Sequence, residues 1–277
     1  MRIRRLPERL HVEGERIMAE SKVNAAKSEP GERVTRLLAV VDSDSSHLHY
    51  TSILLQRLEY NIHTTKNAED ALEIIDVAHP ELILTEIDLS GMSGLELLKK
   101  IKRNPSTYAI PVIILTASKD SVMKDDCLRE GCNEYLKKPV DPDVLYSAIQ
   151  KATESFPRKF IRLNTCLNVI VGSDKDANTV IGDYVSALSE NGIYISTSKP
   201  KPVGLELPIT IFLEDVKIHV EGMVLYSFER GKGPLKTPGM GIKFVRIKPE
   251  DQQLIKTFIR REITKGLTIA HIGGTVF

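Results

Sequence analysis

Residues 37–44 read Leu37-Leu38-Ala39-Val40-Val41-Asp42-Ser43-Asp44. Five apolar residues run without a polar break and then stop at three short polar ones. The alternation that marks a strand with one wet face is missing, so the run reads as a strand buried on both faces. Leu82–Leu84 and Val112–Leu115 have the same form, and weaker strands fit Asn61–Thr64 and Glu134–Leu136. Between them lie segments of helical period: Leu48, Ile53, Leu54 and Leu58; Ala68, Ala71, Leu72 and Ile75; Leu95, Leu97, Leu98 and Ile101. A last helix fits Asp141–Lys151, with Asp141 as N-cap and Pro142 at the first helical position. Strands alternating with helices, five of each, predict a doubly wound parallel α/β sheet.

In such sheets function collects beyond the carboxyl ends of the strands. Those positions hold Asp42, Ser43 and Asp44 after the first strand and Glu86 and Asp88 at the third. Thr116 follows the fourth and Lys138 the fifth. One basic, one hydroxyl and several acidic groups therefore converge on one rim.

After about residue 156 the helical period disappears until 250. Strand-like runs fit Phe160–Val171, Thr179–Leu188, Gly192–Thr197, Ile209–Leu213, Lys217–Phe228 and Met240–Ile247. Turn residues separate them, among them Glu190-Asn191-Gly192 and the Gly/Pro-rich stretch 231–239. Short strands at this spacing predict an antiparallel barrel or sandwich. Pro249-Glu250 then opens a helix with Leu254, Ile255, Phe258 and Ile259 on one face, and 264–277 reads as a short apolar tail, an added strand.

The 277 residues are enough for two ordinary domains, and 42% apolar side chains are enough to fill their cores. Residues 35–150 carry 12 basic and 18 acidic side chains; 155–277 carry 17 basic and 12 acidic. The asymmetry suggests two domains with different partners. The second half is too weakly basic to argue for nucleic acid and is easier to reconcile with a small anionic ligand. No apolar run of about 18 residues occurs, so no membrane span is expected. The basic start has no apolar stretch behind it and does not read as a secretory signal. Cys127, Cys132 and Cys166 form no C-x-x-C pair and read as small buried thiols in a reducing compartment. The expected boundaries are 1–34, an arm (a short helix or disordered) and linker; 35–153, the α/β domain; and 156–277, the barrel.

Four stretches make the first domain specific: Leu38-Ala39-Val40-Val41-Asp42, Gly91-Met92-Ser93-Gly94-Leu95-Glu96-Leu97-Leu98, Pro111-Val112-Ile113-Ile114-Leu115-Thr116-Ala117 and Glu134-Tyr135-Leu136-Lys137-Lys138-Pro139. On these, residues 36–153 resemble a response-regulator receiver domain. The resemblance implies a phosphoacceptor Asp at the end of the third strand, an acidic pair that helps hold Mg²⁺, and a Thr/Ser and a Lys that contact the phosphoryl group. Here the acceptor position falls on Glu86, eight residues before Gly94, and the acidic pair on Asp42-Ser43. Thr116 and Lys138 are retained, and the aromatic switch position falls on Tyr135. Lys138-Pro139 is the peptide that is often cis in receivers. The extra methylene of Glu86 moves its carboxylate outward, badly placed for in-line transfer and within reach of Lys138 and Thr116. Asp88 is a rival acceptor with the wrong spacing to Gly94. Three readings follow: a rigid docking scaffold with an ordinary Glu86–Lys138 ion pair, a mimic of the phosphorylated state, or residual phosphorylation. Mg²⁺ is not expected, since one carboxylate is gone.

In the second half, Arg158-Lys159-Phe160-Ile161-Arg162 matches R-x-x-x-R, and Ala187-Leu188-Ser189-Glu190-Asn191-Gly192 matches (D/N)-x-S-x-x-G except at its first position. With the ending Gly239-Met240-Gly241-Ile242-Lys243-Phe244 and Pro249-Glu250-Asp251, residues 156–263 resemble a PilZ domain. That implies a six-stranded barrel with a C-terminal helix and cyclic di-GMP as ligand. Arg158 and Arg162 suit its phosphates and guanines, because the guanidinium fork pairs bidentately with either. Ser189 supplies a hydroxyl, and Gly192 allows close backbone approach or a positive φ. Ala187 lacks the family's acceptor, with Glu190 or Asp183 as nearby replacements. The plainer alternative makes the arginines solvated charges and Ser189 and Gly192 turn residues.

Asp174-Lys175-Asp176 is too short for a calcium loop. His47 and His49 do not face each other on a helix. Gly231-Lys232-Gly233-Pro234 lacks the ending of a P-loop. No Ser/His/Asp or Cys/His set suggests catalysis. The expected protein is a non-enzymatic cytoplasmic signalling adaptor: a pseudo-receiver that docks a protein partner or dimerises, joined to a cyclic di-GMP receptor.

Overall fold

The structure, a computed structural model, describes residues 36–118, 121–172, 183–232 and 238–267. The expected arm, the Asp174-Lys175-Asp176 turn and most of the apolar tail lie outside the described residues.

The first half is a five-stranded parallel sheet of order β2-β1-β3-β4-β5. Its strands are β1 (Leu37–Val41), β2 (Asn61–Thr65), β3 (Leu82–Thr85), β4 (Val112–Thr116) and β5 (Glu134–Lys137). The helices are α1 (Ser45–Arg57), α2 (Ala68–Ala78), α3 (Gly94–Arg103), α4 (Ser121–Arg129) and α5 (Pro142–Thr153). Side chains alternate across each strand, so both faces fill. Ala39, Val41, Ile83 and Ile114 pack with α2, α3 and α4; Leu38, Val40, Leu84 and Ile113 pack with α1 and α5. Local chemistry starts the helices, at Asp141 as expected and also at Asp44 and Ser93. Asp44 accepts from the His47 and Ser46 amides at the start of α1. Asp141 caps α5, with Pro142 in its first turn. Ser93 and Glu96 form a capping box ahead of α3.

The second half is a closed antiparallel barrel of order β10-β11-β8-β7-β6-β9. Its strands are β6 (Leu163–Val171), β7 (Tyr184–Ser189), β8 (Gly192–Ser196), β9 (Glu206–Leu213), β10 (Val216–Phe228) and β11 (Gly239–Arg246), followed by α6 (Pro249–Thr264). Two strand limits differ from expectation by three residues, and the start expected at Thr179 lies outside the described residues. Phe160–Arg162 stays out of β6; the Ile161 side chain is buried in the core cluster that spans both halves, and the Arg158 amide donates to Gln150 Oε1 (3.0 Å). β9 starts three residues earlier than expected, since Pro208 is tolerated where pairing with β6 has already ended at Val171–Ile209. On α6 the apolar face is Ile255, Phe258, Ile259 and Ile263, whereas Leu254 is turned outward, 42% exposed. Burying each of those four stabilises by about 1.5–3 kcal/mol.

The two halves are fastened together. The buried cluster on the α1/α5 side continues into the barrel interior. Arg57 of α1 donates to the Ile263 and Lys265 carbonyls (2.9 and 2.7 Å), satisfying the open end of α6. Arg260 of α6 reaches back to Asp141 (2.9 Å) and Asp143 (2.7 Å) at the start of α5. Within the receiver, Gln150, whose Oε1 receives the Arg158 amide, donates from Nε2 to the buried Tyr60 hydroxyl (3.0 Å). Burial pushes that phenol up to about 12 despite the bond.

Candidate functional site

Four strand ends bring Asp42, Glu86, Thr116 and Lys138 together. Lys138 Nζ lies 2.6 Å from Asp42 Oδ2 and 2.6 Å from Glu86 Oε2, and its side chain is 6% exposed. The Glu86 carboxylate is ringed by donors: the Ile87 amide on Oε1 (2.7 Å), the Ala117 amide on Oε2 (3.3 Å) and the Thr116 hydroxyl. Burial works to raise its carboxyl, but the bonds from Lys138 and Thr116 outweigh that and hold it below the usual glutamate range. Gly94 explains the eight-residue spacing. A Cβ there would sit 2.1 Å from the Glu86 carbonyl oxygen, and the Gly94 amide bonds the Ile87 carbonyl (2.9 Å).

The other rim residues stand apart. Asp88 is exposed, and its amide makes only a long bond to Glu86 Oε1 (3.4 Å). Ser43 Oγ donates to the Asp88 carbonyl (3.1 Å). Tyr135 is buried on the α2–α4 side of the sheet, and the Lys138-Pro139 bond is cis. These residues do not fit a Mg²⁺ site well. Asp42 and Glu86 both sit on one ammonium, and a hydroxyl replaces the second carboxylate of the pair.

The barrel carries a groove of about 230 Å³ on its outer wall, lined by Arg158, Arg162, Ala187, Ser189 and Gly192 together with Asn191, Tyr194, Tyr226 and Lys243. All four residues expected to hold ligand are thus brought to one place. Both arginines are exposed, and among the described residues neither side chain makes an ion pair. Ser189 Oγ donates to the Gly192 carbonyl (2.9 Å). Gly192 is needed for close approach: a Cβ would lie 2.4 Å from the Ile242 carbonyl oxygen, and its φ is not positive.

Neither replacement expected for the missing acceptor at Ala187 lines the groove. Glu190 is half-committed to Lys256 (3.5 Å), and Asp183 sits at the far end of β7. Sequence reasoning also missed the aromatic wall. Tyr194 and Tyr226 stack with centroids 6.2 Å apart, and Tyr226 lies flat over Gly241, where a Cβ would meet its ring at 2.1 Å. The alternating glycines Gly239 and Gly241 were the available signal, because two missing side chains on one strand face leave room for rings from its neighbours. Gln252 Nε2 donates to Asn191 Oδ1 (2.7 Å) and the Glu190 carbonyl (3.3 Å), fixing the β7–β8 turn from α6. Cys166 departs from expectation as well. It is exposed on an outward position of β6, while Cys127 and Cys132 are buried and burial pushes each thiol up to about 11.

Family models match both halves, a response regulator receiver domain over 38–150 and a PilZ domain over 155–261. The chain is a receiver domain joined to a PilZ domain. A 14.6 kDa Leptolyngbya boryana protein is 30% identical over 120 residues, 43% of this chain and 92% of that protein. The transcriptional regulatory protein ZraR of Escherichia coli is 35% identical over 116 residues, 42% of this chain but 26% of ZraR, so the similarity spans about a quarter of that relative. Among solved structures, a receiver domain protein from Clostridium thermocellum is 28% identical with a TM-score of 0.40, covering 43% of this chain and 94% of that one. Receiver and PilZ domains are signalling domains, and no helix among the described residues is long and apolar enough to cross a membrane.

Proposed function

We propose that this receiver–PilZ protein is a cytoplasmic, non-enzymatic adaptor whose barrel binds cyclic di-GMP and whose receiver pocket is filled by Glu86 in place of a phosphoryl group. The observation that carries the ligand reading is the convergence of Arg158, Arg162, Ser189 and Gly192 on one groove, with both guanidinium groups free of ion pairs among the described residues. The groove is smaller than the roughly 300–1,000 Å³ of typical ligand pockets. Part of the dinucleotide therefore lies over the rim, where the arginines stand. The outer face of Tyr226 offers a base a surface to stack on. Without an acceptor at Ala187, one guanine donor loses a partner. That costs about 1–3 kcal/mol, roughly ten- to a hundred-fold in affinity.

In the receiver pocket the Glu86 carboxylate already receives Lys138, Thr116 and the Ala117 amide, the donors a phosphoryl group would need. This supports a phosphate-independent receiver that presents a surface to a protein partner or to a second copy of the chain. Calorimetry with cyclic di-GMP tests the ligand reading: wild type binds, and Arg158→Ala and Arg162→Ala each abolish the heat. No heat at high micromolar ligand favours the second reading, an interaction protein with a non-binding barrel, for which Ala187 is the supporting observation. Phosphodonor labelling, with Glu86→Gln and Asp42→Asn as controls, tests the independence from phosphate. Labelling of wild type would overturn it.

A further inference from the structure

Helix α6 contacts, with one face, residues that neighbour both pockets. Gln252, Lys256 and Arg260 are spaced four residues apart, so their side chains form a single stripe along it. At the barrel end Gln252 holds Asn191 and the Glu190 carbonyl, and Lys256 pairs with the Glu190 carboxylate (3.5 Å). Those two residues are the centre of the turn between Ser189 and Gly192, and Asn191 itself lines the groove. At the other end Arg260 grips Asp141 and Asp143. Asp141 lies three residues after Lys138, the lysine that bridges Glu86 and Asp42. The same end of the helix is tied to α1 by Arg57.

We propose that α6 is a coupling rod by which occupancy of the barrel groove and the state of the receiver pocket act on each other. The proposal rests on the cyclic di-GMP reading of the groove. A hydrogen-bonded helix is stiff along its axis, and about 12 Å separates residues 252 and 260. A ligand that engages Asn191 or displaces the 189–192 turn acts on the Gln252 and Lys256 contacts. The helix then shifts against the receiver, where the Arg260 contact with Asp141 and Asp143 is made or lost. That contact is the two-state element. Because it flanks the segment carrying Lys138, a change in the Glu86 pocket acts back on ligand affinity by the same factor.

Two measurements on the full chain decide it. Amide hydrogen exchange of peptides spanning 138–146 is recorded with and without cyclic di-GMP, in wild type and in Arg260→Ala. The ligand should alter exchange there in wild type and leave it unaltered in Arg260→Ala, which still binds because Arg260 is not part of the groove. Calorimetric affinities for Glu86→Ala alone and combined with Arg260→Ala complete a cycle: Glu86→Ala should shift affinity about fivefold or more in the wild-type background and not in the Arg260→Ala background. If wild type binds and exchange at 138–146 is indifferent to ligand, or the Glu86→Ala shift is equal in both backgrounds, the rod is overturned while the ligand reading stands. If wild type shows no binding, both fall together.

Discussion

Lys138 and Glu86 meet at 2.6 Å in a pocket almost closed to water, and Asp42 holds the same ammonium from the other side at 2.6 Å. Two buried carboxylates share one cation. Removing the shared cation leaves two charges that neither water nor protein satisfies.

Lys138→Met is therefore expected to destabilise the chain by about 3–5 kcal/mol, because it strands Asp42 and Glu86 together without a cation. Glu86→Gln keeps an acceptor and leaves Lys138 with Asp42, so it should cost less, about 1–3 kcal/mol. Urea midpoints at neutral pH rank the two, and the reverse order would contradict the shared-cation geometry.

Acid should expose the same pocket. The Glu86 carboxyl titrates lower in the folded chain than its ordinary value of 4.5. Between those two values the unfolded chain binds more protons, so stability rises with pH there. The Glu86 contribution is complete above about pH 4.5 and is lost as pH falls through the folded value. The drop in unfolding midpoint from pH 6 to the lowest pH at which the chain stays soluble should be smaller in Glu86→Gln than in wild type.

Ala187→Asp restores the acceptor that the PilZ motif carries. If the guanine edge reaches that position, calorimetry should show cyclic di-GMP binding about ten- to a hundred-fold tighter than in wild type. Unchanged affinity would show that the ligand does not use this part of the groove.

Gly192→Ala should lower barrel stability by about 1–3 kcal/mol, because the new methyl would press on the Ile242 carbonyl oxygen and force β8 away from β11. Ser189→Ala should leave the melting temperature nearly unchanged, since the hydroxyl is only partly buried and serves a turn. Thermal melts distinguish the two before either variant is used to probe ligand.

Thiol labelling should be strongly selective. Cys166 is exposed and reacts in the folded chain, whereas burial shields Cys127 and Cys132 and keeps them protonated at neutral pH. Mass spectrometry after brief alkylation should find one modified cysteine, with the other two appearing only on unfolding.

Much of this protein could be read from residue order. The unbroken run Leu37–Val41, the helix start at Asp141 and the alternating strands of the barrel depend on neighbours a few positions away, so local pattern carries them. The motif residues were legible for the same reason: Arg158 and Arg162, or Glu86 and Gly94, sit at fixed spacings on one segment. What no local pattern holds is how groups from distant segments share one another. Only the tertiary structure decides that Lys138 divides itself between Asp42 and Glu86, and that Glu190 is drawn to Lys256 rather than to the groove. The same is true of Leu254 facing water beside the buried Ile255, and of α6 bridging barrel and receiver. Those outcomes turn on through-space distances of a few ångströms between elements far apart in the chain. The energy of a charge or a hydrogen bond depends on such distances and on burial, neither of which spacing along the sequence encodes.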